Sequence, residues 1–325
     1  MNPTQFCRLL LVIASALFVS AAPAREEPQA KLANVMILAT GGTIAGTGAT
    51  ATTTVGYAAA KVGVEQLIEA VPELKKVANI KGEQVFQIAS ENMTNDHWLK
   101  LAKRVNALLA QPDVDGIVIT HGTDTIEETA YFLNLVVKSK KPVVLVGSMR
   151  PSTAISADGP INLYNAAILA GSPEAAGKGV LVALNDQINA GRDVTKANTS
   201  TVDTFRAEEL GMLGYMQGGK PYFYRLPARK HTSESEFDVM KLDALPKVDI
   251  VYGYANNTRV PLDALVSAGA KGIVHAGVGN GSLFTEVKEG LIEARKKGVV
   301  IVRSSRTGNG LVARNGEAND DELDF

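Results

Sequence analysis

Short apolar runs alternate along the chain with segments whose apolar residues recur every three or four positions. The runs are uninterrupted and rich in β-branched residues, which is typical of buried strands in a parallel sheet, and the recurring pattern indicates amphipathic helices. The predicted strands are 35–40, 85–89, 116–120, 143–147 and 179–185, and the predicted helices are 64–70, 97–109, 126–137 and 159–170. This order predicts an α/β fold with a mostly parallel sheet flanked by helices.

The pattern becomes irregular between residues 205 and 246, where glycine, proline and charged residues are frequent. This composition predicts a hairpin followed by a linker. Strand-like segments then return at 248–252, 272–275 and 299–302, with helices near 262–267 and 283–296. We therefore expect a larger N-terminal α/β domain over 25–224, a linker over 225–247 and a smaller C-terminal α/β domain over 248–325.

The first 24 residues have the form of an export signal. Arg8 supplies a positive region, residues 9–20 are apolar, and Ala22-Pro23-Ala24 has the small-x-small form of a cleavage site. The apolar run is shorter than the roughly 20 residues that a membrane span requires, so no membrane partner is expected. The only cysteine, Cys7, would leave with this segment, and the mature chain would have neither a disulfide nor a thiol nucleophile.

Charge and histidine content exclude two further classes of protein. The chain has 33 basic and 34 acidic residues, and loss of the export signal removes one arginine and no acid, leaving 32 against 34. This balance gives no electrostatic footprint for nucleic acid. The four histidines at 97, 121, 231 and 275 share no metal-binding spacing, so we expect no metal, and His121 is interpreted as a hydrogen-bonded structural residue.

Two threonine-bearing loops follow predicted strands, at 39–46 and 120–125. In parallel sheets the ligand crevice lies at the carboxyl ends of the strands. Gly42 and the glycine before it allow a sharp turn, so Thr43 would stand at the sheet edge beside free backbone N–H groups, as suits a nucleophile. A structural threonine in a glycine turn is the alternative. The second loop adds Asp124 directly after Thr123.

A nucleophilic threonine needs a group that takes its proton. The candidates are Lys196, Tyr57 and Glu317. A buried Lys196 could act as the base, and Tyr57 lies in a Gly/Thr/Ala stretch, 46–60, that has the composition of a lid. A surface lysine and an ordinary loop aromatic are the alternatives. Neither G-x-G-x-x-G nor G-x-x-x-x-G-K-[ST] occurs, so no nucleotide cofactor is expected.

Five segments resemble the bacterial type II L-asparaginases, and within them the periplasmic glutaminase-asparaginases. They are ATGGTIAG at 39–46, ITHGTDTIEETAYFL at 119–133, MRPSTAISADGPINLYNA at 149–166, GRDVTK at 191–196 and PARKHT at 227–232. The resemblance runs from about residue 34 to the end. It implies a periplasmic amidohydrolase that needs no cofactor and acts on L-asparagine and L-glutamine.

The resemblance also implies roles for the loop residues. Thr43 would attack the side-chain amide carbon, with its hydroxyl polarised by Tyr57, and water would hydrolyse the acyl-threonine ester. Thr123, Asp124 and Lys196 would form a hydrogen-bonded chain that activates water or the amide. Which threonine attacks first stays open.

The remaining site residues would hold the substrate. The resemblance implies that Ser90 holds the α-carboxylate and that Glu91, together with Asp124, holds the α-ammonium. Gly42 and Gly122 belong to the same predicted binding set.

The resemblance further implies a homotetramer, built as a pair of intimate dimers, in which the smaller domain of a neighbouring subunit completes each site through Glu317 and Ser282. Many strict asparaginases carry glutamine and asparagine where this chain has Glu91 and Ser282, so we predict appreciable glutaminase activity. The family continues beyond the position of Asp324-Phe325 with a strand and a helix, so we expect a shortened small domain.

Two other functions are compatible with parts of the pattern. A non-catalytic periplasmic amino-acid binding protein would explain the export signal and the two α/β domains, but it leaves the threonines and Lys196 without a role. A nucleotide-dependent amide ligase would need a phosphate loop that the chain lacks.

Overall fold

A computed structural model of the chain describes residues 31–325, and the predicted export signal therefore lies outside the described residues. The strands are β1 (Ala33–Gly41), β2 (Ala78–Ile88), β3 (Gly116–Thr120), β4 (Val143–Val146), β5 (Val180–Leu184), β6 (Gln187–Ala190), β7 (Thr195–Lys196), β8 (Phe205–Arg206), β9 (Gly214–Gln217), β10 (Lys220–Phe223), β11 (Val248–Tyr252), β12 (Gly272–Gly277) and β13 (Val300–Ser305). The helices are α1 (Val64–Glu69), α2 (Leu74–Val77), α3 (Asn95–Leu109), α4 (Ile126–Val136), α5 (Gly159–Gly171), α6 (Val260–Ser267), α7 (Thr285–Lys296) and α8 (Asp320–Leu323).

Eight strands form the large sheet in the order β10-β9-β6-β5-β4-β3-β1-β2. The five strands from β5 to β2 are parallel, and β6, β9 and β10 extend the sheet in antiparallel pairs. The chain passes from β1 outward to β2 and then back across to β3. A doubly wound sheet reverses direction at such a point, and the crevice beyond the carboxyl ends of β1 and β3 is where ligands bind.

Helices cover both faces of the parallel part of this sheet. The face carrying Val35 and Ile37 packs against α1, α2 and α5, with Leu163 fully buried there. The opposite face, with Ile117 and Ile119, packs against α3 and α4. Strands buried on both sides have no polar face, which is why they appear in the sequence as continuous apolar runs.

The sequence pattern does not predict the first half of β2 or the short helix α2. The predicted strand begins at residue 85, whereas β2 begins at Ala78 and includes the exposed pair Lys81-Gly82. An edge strand hydrogen-bonds on one side only, so it tolerates polar residues that hide it from an apolar pattern. The predicted hairpin is β9–β10, whose turn residues Gly218 and Gly219 both have positive φ, as a primed turn requires.

The smaller C-terminal domain is built on the parallel sheet β11-β12-β13. Helices α6 and α7 pack on one face, where Leu262, Ile273 and Leu291 are fully buried. The fold class is therefore the predicted one, a larger and a smaller α/β domain. Across residues 31–325, none of the helices combines the length and the apolar composition that a membrane crossing demands.

Candidate active site

The loops that follow β1, β2, β3 and β4 surround one cavity of about 560 Å³ at the carboxyl edge of the large sheet. Nine predicted site residues line this cavity: Gly42, Thr43, Tyr57, Ser90, Glu91, Gly122, Thr123, Asp124 and Lys196. The other two predicted residues, Ser282 and Glu317, lie in the smaller domain and do not line it. A single chain thus assembles most of the predicted constellation at the switch point of its sheet.

Backbone contact between two glycines brings the threonine loops together. Gly42 has a φ of 81°, and a Cβ atom on it would lie 2.3 Å from the Cα of Gly122. A Cβ on Gly122 would in turn lie 2.5 Å from the Ser90 hydroxyl oxygen. Any side chain at these two positions would push the loops apart, so the glycines allow three loops to meet at one point.

The hydroxyl of Thr43 pairs with the hydroxyl of Tyr57 at 2.8 Å. Thr43 is the first residue of a single 3₁₀ turn and is almost fully buried. The segment that carries Tyr57 is held at its base by the paired residues Thr47 and Ala58, and Ser152 donates to the carbonyl of Gly46. Tyr57 therefore covers Thr43 from a loop that is anchored at both ends.

The hydroxyl of Thr123 belongs to a second chain of contacts. Lys196 Nζ donates to Thr123 Oγ1 at 3.1 Å and to Asp124 Oδ1 at 2.5 Å, and the lysine side chain is only 18% exposed. Lys196 lies on β7, which follows β6 in the chain and pairs with β8. The backbone N–H of Lys196 donates to the Glu127 carboxylate. Glu127 thus positions the lysine, in addition to facing the helix dipole as its sequence position suggests.

Beneath the second loop, His121 is fully buried in a continuous hydrogen-bond chain. Its Nδ1 lies 2.8 Å from the carbonyl of Gly122, which can only accept, so Nδ1 carries the proton and Nε2 accepts from Thr129. The Thr129 hydroxyl in turn accepts from Trp98 Nε1. Burial lowers the pKa of His121 to about 4, so the ring is neutral and structural, as predicted.

The buried neutral ring makes the stability of the protein depend on pH. The unfolded chain, with a histidine pKa near 6.5, binds the proton more readily than the folded chain. The contribution of the neutral His121 ring to the free energy of unfolding is therefore fully present above pH 6.5 and is lost as the pH falls towards 4. We expect a loss of about 3 kcal/mol over this range. Urea unfolding of wild type and His121→Gln from pH 7 to pH 4 measures it, and an equal pH dependence in both proteins would contradict the assignment.

Several cavity residues were not predicted from the sequence. They are Thr54, Val55, Gly56, Ala59, Ala89, Met149, Arg150, Thr199 and Ser200. Arg150 follows β4 as Thr43 follows β1, so the rule on strand ends already pointed to it, and Asp158 holds it by accepting its backbone N–H. No group of three or more His, Cys, Asp or Glu side chains that could hold a metal ion occurs within residues 31–325.

The doubly wound sheet and the two partnered threonine hydroxyls at its switch point define an α/β enzyme with a small-molecule site. The family model described as "Asparaginase, N-terminal" matches residues 34–229, and the model described as "Glutaminase/Asparaginase C-terminal domain" matches residues 247–325. The chain therefore belongs to the asparaginase and glutaminase-asparaginase family, and it is an amidohydrolase.

Named relatives match over most of the chain. L-asparaginase 2 of Bacillus subtilis (strain 168) is 59% identical over 305 residues, which are 94% of this chain and 80% of the relative. The glutaminase-asparaginase of Pseudomonas fluorescens biotype A is 56% identical over 311 residues, 95% of this chain and 86% of the relative. The probable periplasmic L-asparaginase of Haemophilus influenzae is 50% identical over 321 residues, 99% of this chain and 90% of the relative.

Proposed function

We propose that this enzyme hydrolyses the side-chain amides of L-asparagine and L-glutamine through an acyl-enzyme on Thr43, without a cofactor. The observation that carries the proposal is that one cavity presents two threonine hydroxyls with different partners, Tyr57 for Thr43 and Lys196 with Asp124 for Thr123. The names of relatives, which include both asparaginase and glutaminase-asparaginase, support the choice of substrates.

In the first half-reaction, Thr43 Oγ1, whose hydroxyl is polarised by Tyr57, attacks the amide carbon, and the hydroxyl proton is transferred to the leaving nitrogen. The carbon–nitrogen bond breaks, and the nitrogen leaves as ammonia after gaining a proton. In the second half-reaction, water attacks the acyl-threonine ester, Thr43 regains its proton, and aspartate or glutamate is released. The chain of Thr123, Lys196 and Asp124 delivers the proton that the leaving nitrogen gains, and it accepts the proton that the attacking water loses.

Backbone amides support the tetrahedral intermediate. Within residues 31–325, the N–H groups of Thr43 and Thr123 have no backbone or side-chain acceptor in the protein. Both belong to loops at the cavity wall, so they are free to donate to the oxyanion. Such a donor is worth about 3 kcal/mol of transition-state stabilisation.

The charges around the cavity match a zwitterionic amino acid. Glu91 and Asp124 supply two negative groups, and Lys196 and Arg150 supply two positive ones. We assign the α-ammonium to Glu91 and Asp124 and the α-carboxylate to Ser90, whose hydroxyl lies beside the contact between the two threonine loops. A cavity with both signs of charge favours a free amino acid over an uncharged amide.

Mass spectrometry of the trapped acyl-enzyme tests the nucleophile. Tryptic cleavage places Thr43 in the peptide 32–61 and Thr123 in the peptide 105–138, so the two hydroxyls are separated by one digest. After an acid quench during turnover of asparagine, we expect an increase of about 115 Da on the first peptide. The same increase on the second peptide instead would identify Thr123 as the nucleophile and contradict the assignment to Thr43.

We predict that Glu91→Gln lowers kcat/KM for glutamine more than for asparagine. A neutral amide binds the α-ammonium less strongly than a carboxylate, and the longer substrate depends more on that anchor to place its amide. We expect the wild type to prefer asparagine by less than about a thousandfold. Ammonia release from both amides measures the ratio, with Asp96→Asn, an exposed carboxylate outside the cavity, as the control.

An equal loss for both amides in Glu91→Gln would contradict its role in substrate choice. A wild-type preference for asparagine above about a thousandfold would contradict the glutaminase assignment itself. Neither result bears on the identity of the nucleophile, which the trapping experiment tests separately.

We further propose that the enzyme is a homotetramer located in the periplasm. Ser282 and Glu317 lie outside the cavity of their own chain, which supports their contribution to the site of a neighbouring subunit in a homotetramer. The export signal within residues 1–24 and the printed name of the Haemophilus influenzae relative support a periplasmic location. A periplasmic amino-acid binding protein would show binding without ammonia release, which the assays above distinguish.

A further inference from the structure

A buried arginine in the small domain uses all of its donors to join two loops. Arg303 on β13 donates through Nε and Nη2 to both carboxylate oxygens of Asp320, each at 2.6 Å. Its Nη1 donates to the carbonyls of Asn280 and Gly281, at 2.7 and 3.3 Å, and Nη2 also donates to the carbonyl of Ala313 at 2.7 Å. The five N–H groups of the guanidinium therefore have five acceptors.

The two loops that Arg303 joins are the ones that carry the remaining site residues. Ser282 directly follows Gly281, and Glu317 lies between Ala313 and Asp320. The loops also bind each other, because Asn280 Oδ1 accepts the backbone N–H of Ala313 at 2.8 Å.

Asp320 stabilises the same arrangement from the second loop. Its Oδ2 accepts the backbone N–H of Asn315 at 2.7 Å in addition to the bond from Arg303. The arginine and aspartate side chains are only 3% and 6% exposed, whereas Glu317 is exposed to solvent. The buried pair thus holds the base of a loop whose tip is free to contact another molecule.

We infer that the Arg303–Asp320 pair is a positioning element that presents Ser282 and Glu317 together to the active site of a neighbouring subunit. This inference rests on the proposed function, since it takes the neighbour to be a second copy of this chain. All the hydrogen-bond acceptors of Arg303 lie in the two loops, and none of them lines the cavity of its own chain. A lysine cannot replace it, because a single ammonium offers three donors and no planar fork.

Steady-state kinetics of Arg303→Lys and Asp320→Asn test the inference. We expect KM for both amides to rise by about tenfold or more with a smaller change in kcat, because the nucleophile stays intact while bonds to the substrate are misplaced. Leu262→Ala, a variant in the buried core of the same domain, is the control for lost stability. A KM equal to that of wild type, or an equal rise in a control of matched melting temperature, would overturn the inference.

Mixed assemblies provide the second measurement. Chains with Thr43→Ala keep the two loops that carry Ser282 and Glu317 intact, and chains with Arg303→Lys keep an intact nucleophile. A dimer that contains one chain of each kind therefore regains one complete site. We expect a refolded equimolar mixture to reach about a quarter of wild-type activity at the wild-type KM, since half of the randomly formed dimers are mixed.

The two measurements separate the possible failures. A mixture with no activity beyond its components, although Arg303→Lys alone shows the raised KM, would place the effect of Arg303 within its own chain and overturn presentation to a neighbour. Activity in Thr43→Ala alone would overturn the proposed nucleophile, while the KM comparison would still decide the role of Arg303.

Discussion

Thr43→Ala is expected to lower kcat for asparagine and glutamine by about a thousandfold or more, with little change in KM. The substitution removes the attacking oxygen but leaves the substrate contacts at Ser90, Glu91 and Asp124 in place. The side chain is buried and small, and the substitution removes only a methyl group and a hydroxyl group. We expect the loop to stay folded, because the contact between Gly42 and Gly122 holds it on one side and the segment that carries Tyr57 holds it on the other. Ammonia release under steady-state conditions measures both constants.

Two variants at the same hydroxyl pair serve as controls for this result. Thr43→Ser keeps an oxygen at the same position and should retain far more activity than the alanine variant. Tyr57→Phe removes only the hydroxyl that lies 2.8 Å from Thr43 and should give an intermediate loss, as expected for a group that assists proton transfer. An alanine variant with the wild-type rate would eliminate Thr43 as the nucleophile.

Lys196→Met is expected to lower kcat by about 10²- to 10⁴-fold, the range typical of a group that moves protons in the transition state. The lysine is the common member of the bonds to Thr123 and Asp124, so its loss disconnects both. We therefore expect Thr123→Val to add little to the effect of Lys196→Met, because residues that act as one unit lose their function together.

Lys138→Met is the matched control for this prediction. Lys138 is also partly buried and also donates through Nζ, but its acceptor is the carbonyl of Ser235, away from the cavity. We expect its kcat to stay near that of wild type. Losses from Lys196→Met and Thr123→Val that multiply in the double variant would show that the two residues act independently.

The order of strands and helices in the larger domain was predictable because its strands are buried on both faces. Val143 to Val146 and Val180 to Leu184 carry no polar residue, so their pattern needs no knowledge of their neighbours. The first half of β2 was not predictable, because Lys81 and Gly82 lie at a sheet edge whose position depends on strand order. Arg150 was missed although it follows a predicted strand, because the sequence does not show that β4 lies beside β3 in the sheet.

Local patterns in the amino-acid sequence were enough to predict the chemical groups of the site: two threonines in turns that follow parallel strands, a carboxylate beside one of them, and a resemblance to a family of amidohydrolases. The tertiary structure decided which groups meet. It pairs Thr43 with Tyr57 across 14 residues and Thr123 with Lys196 across 73, and it leaves Ser282 and Glu317 outside the cavity of their own chain. Local patterns encode strands and turns, whereas these contacts depend on the order in which strands join the sheet, which is a property of the whole fold.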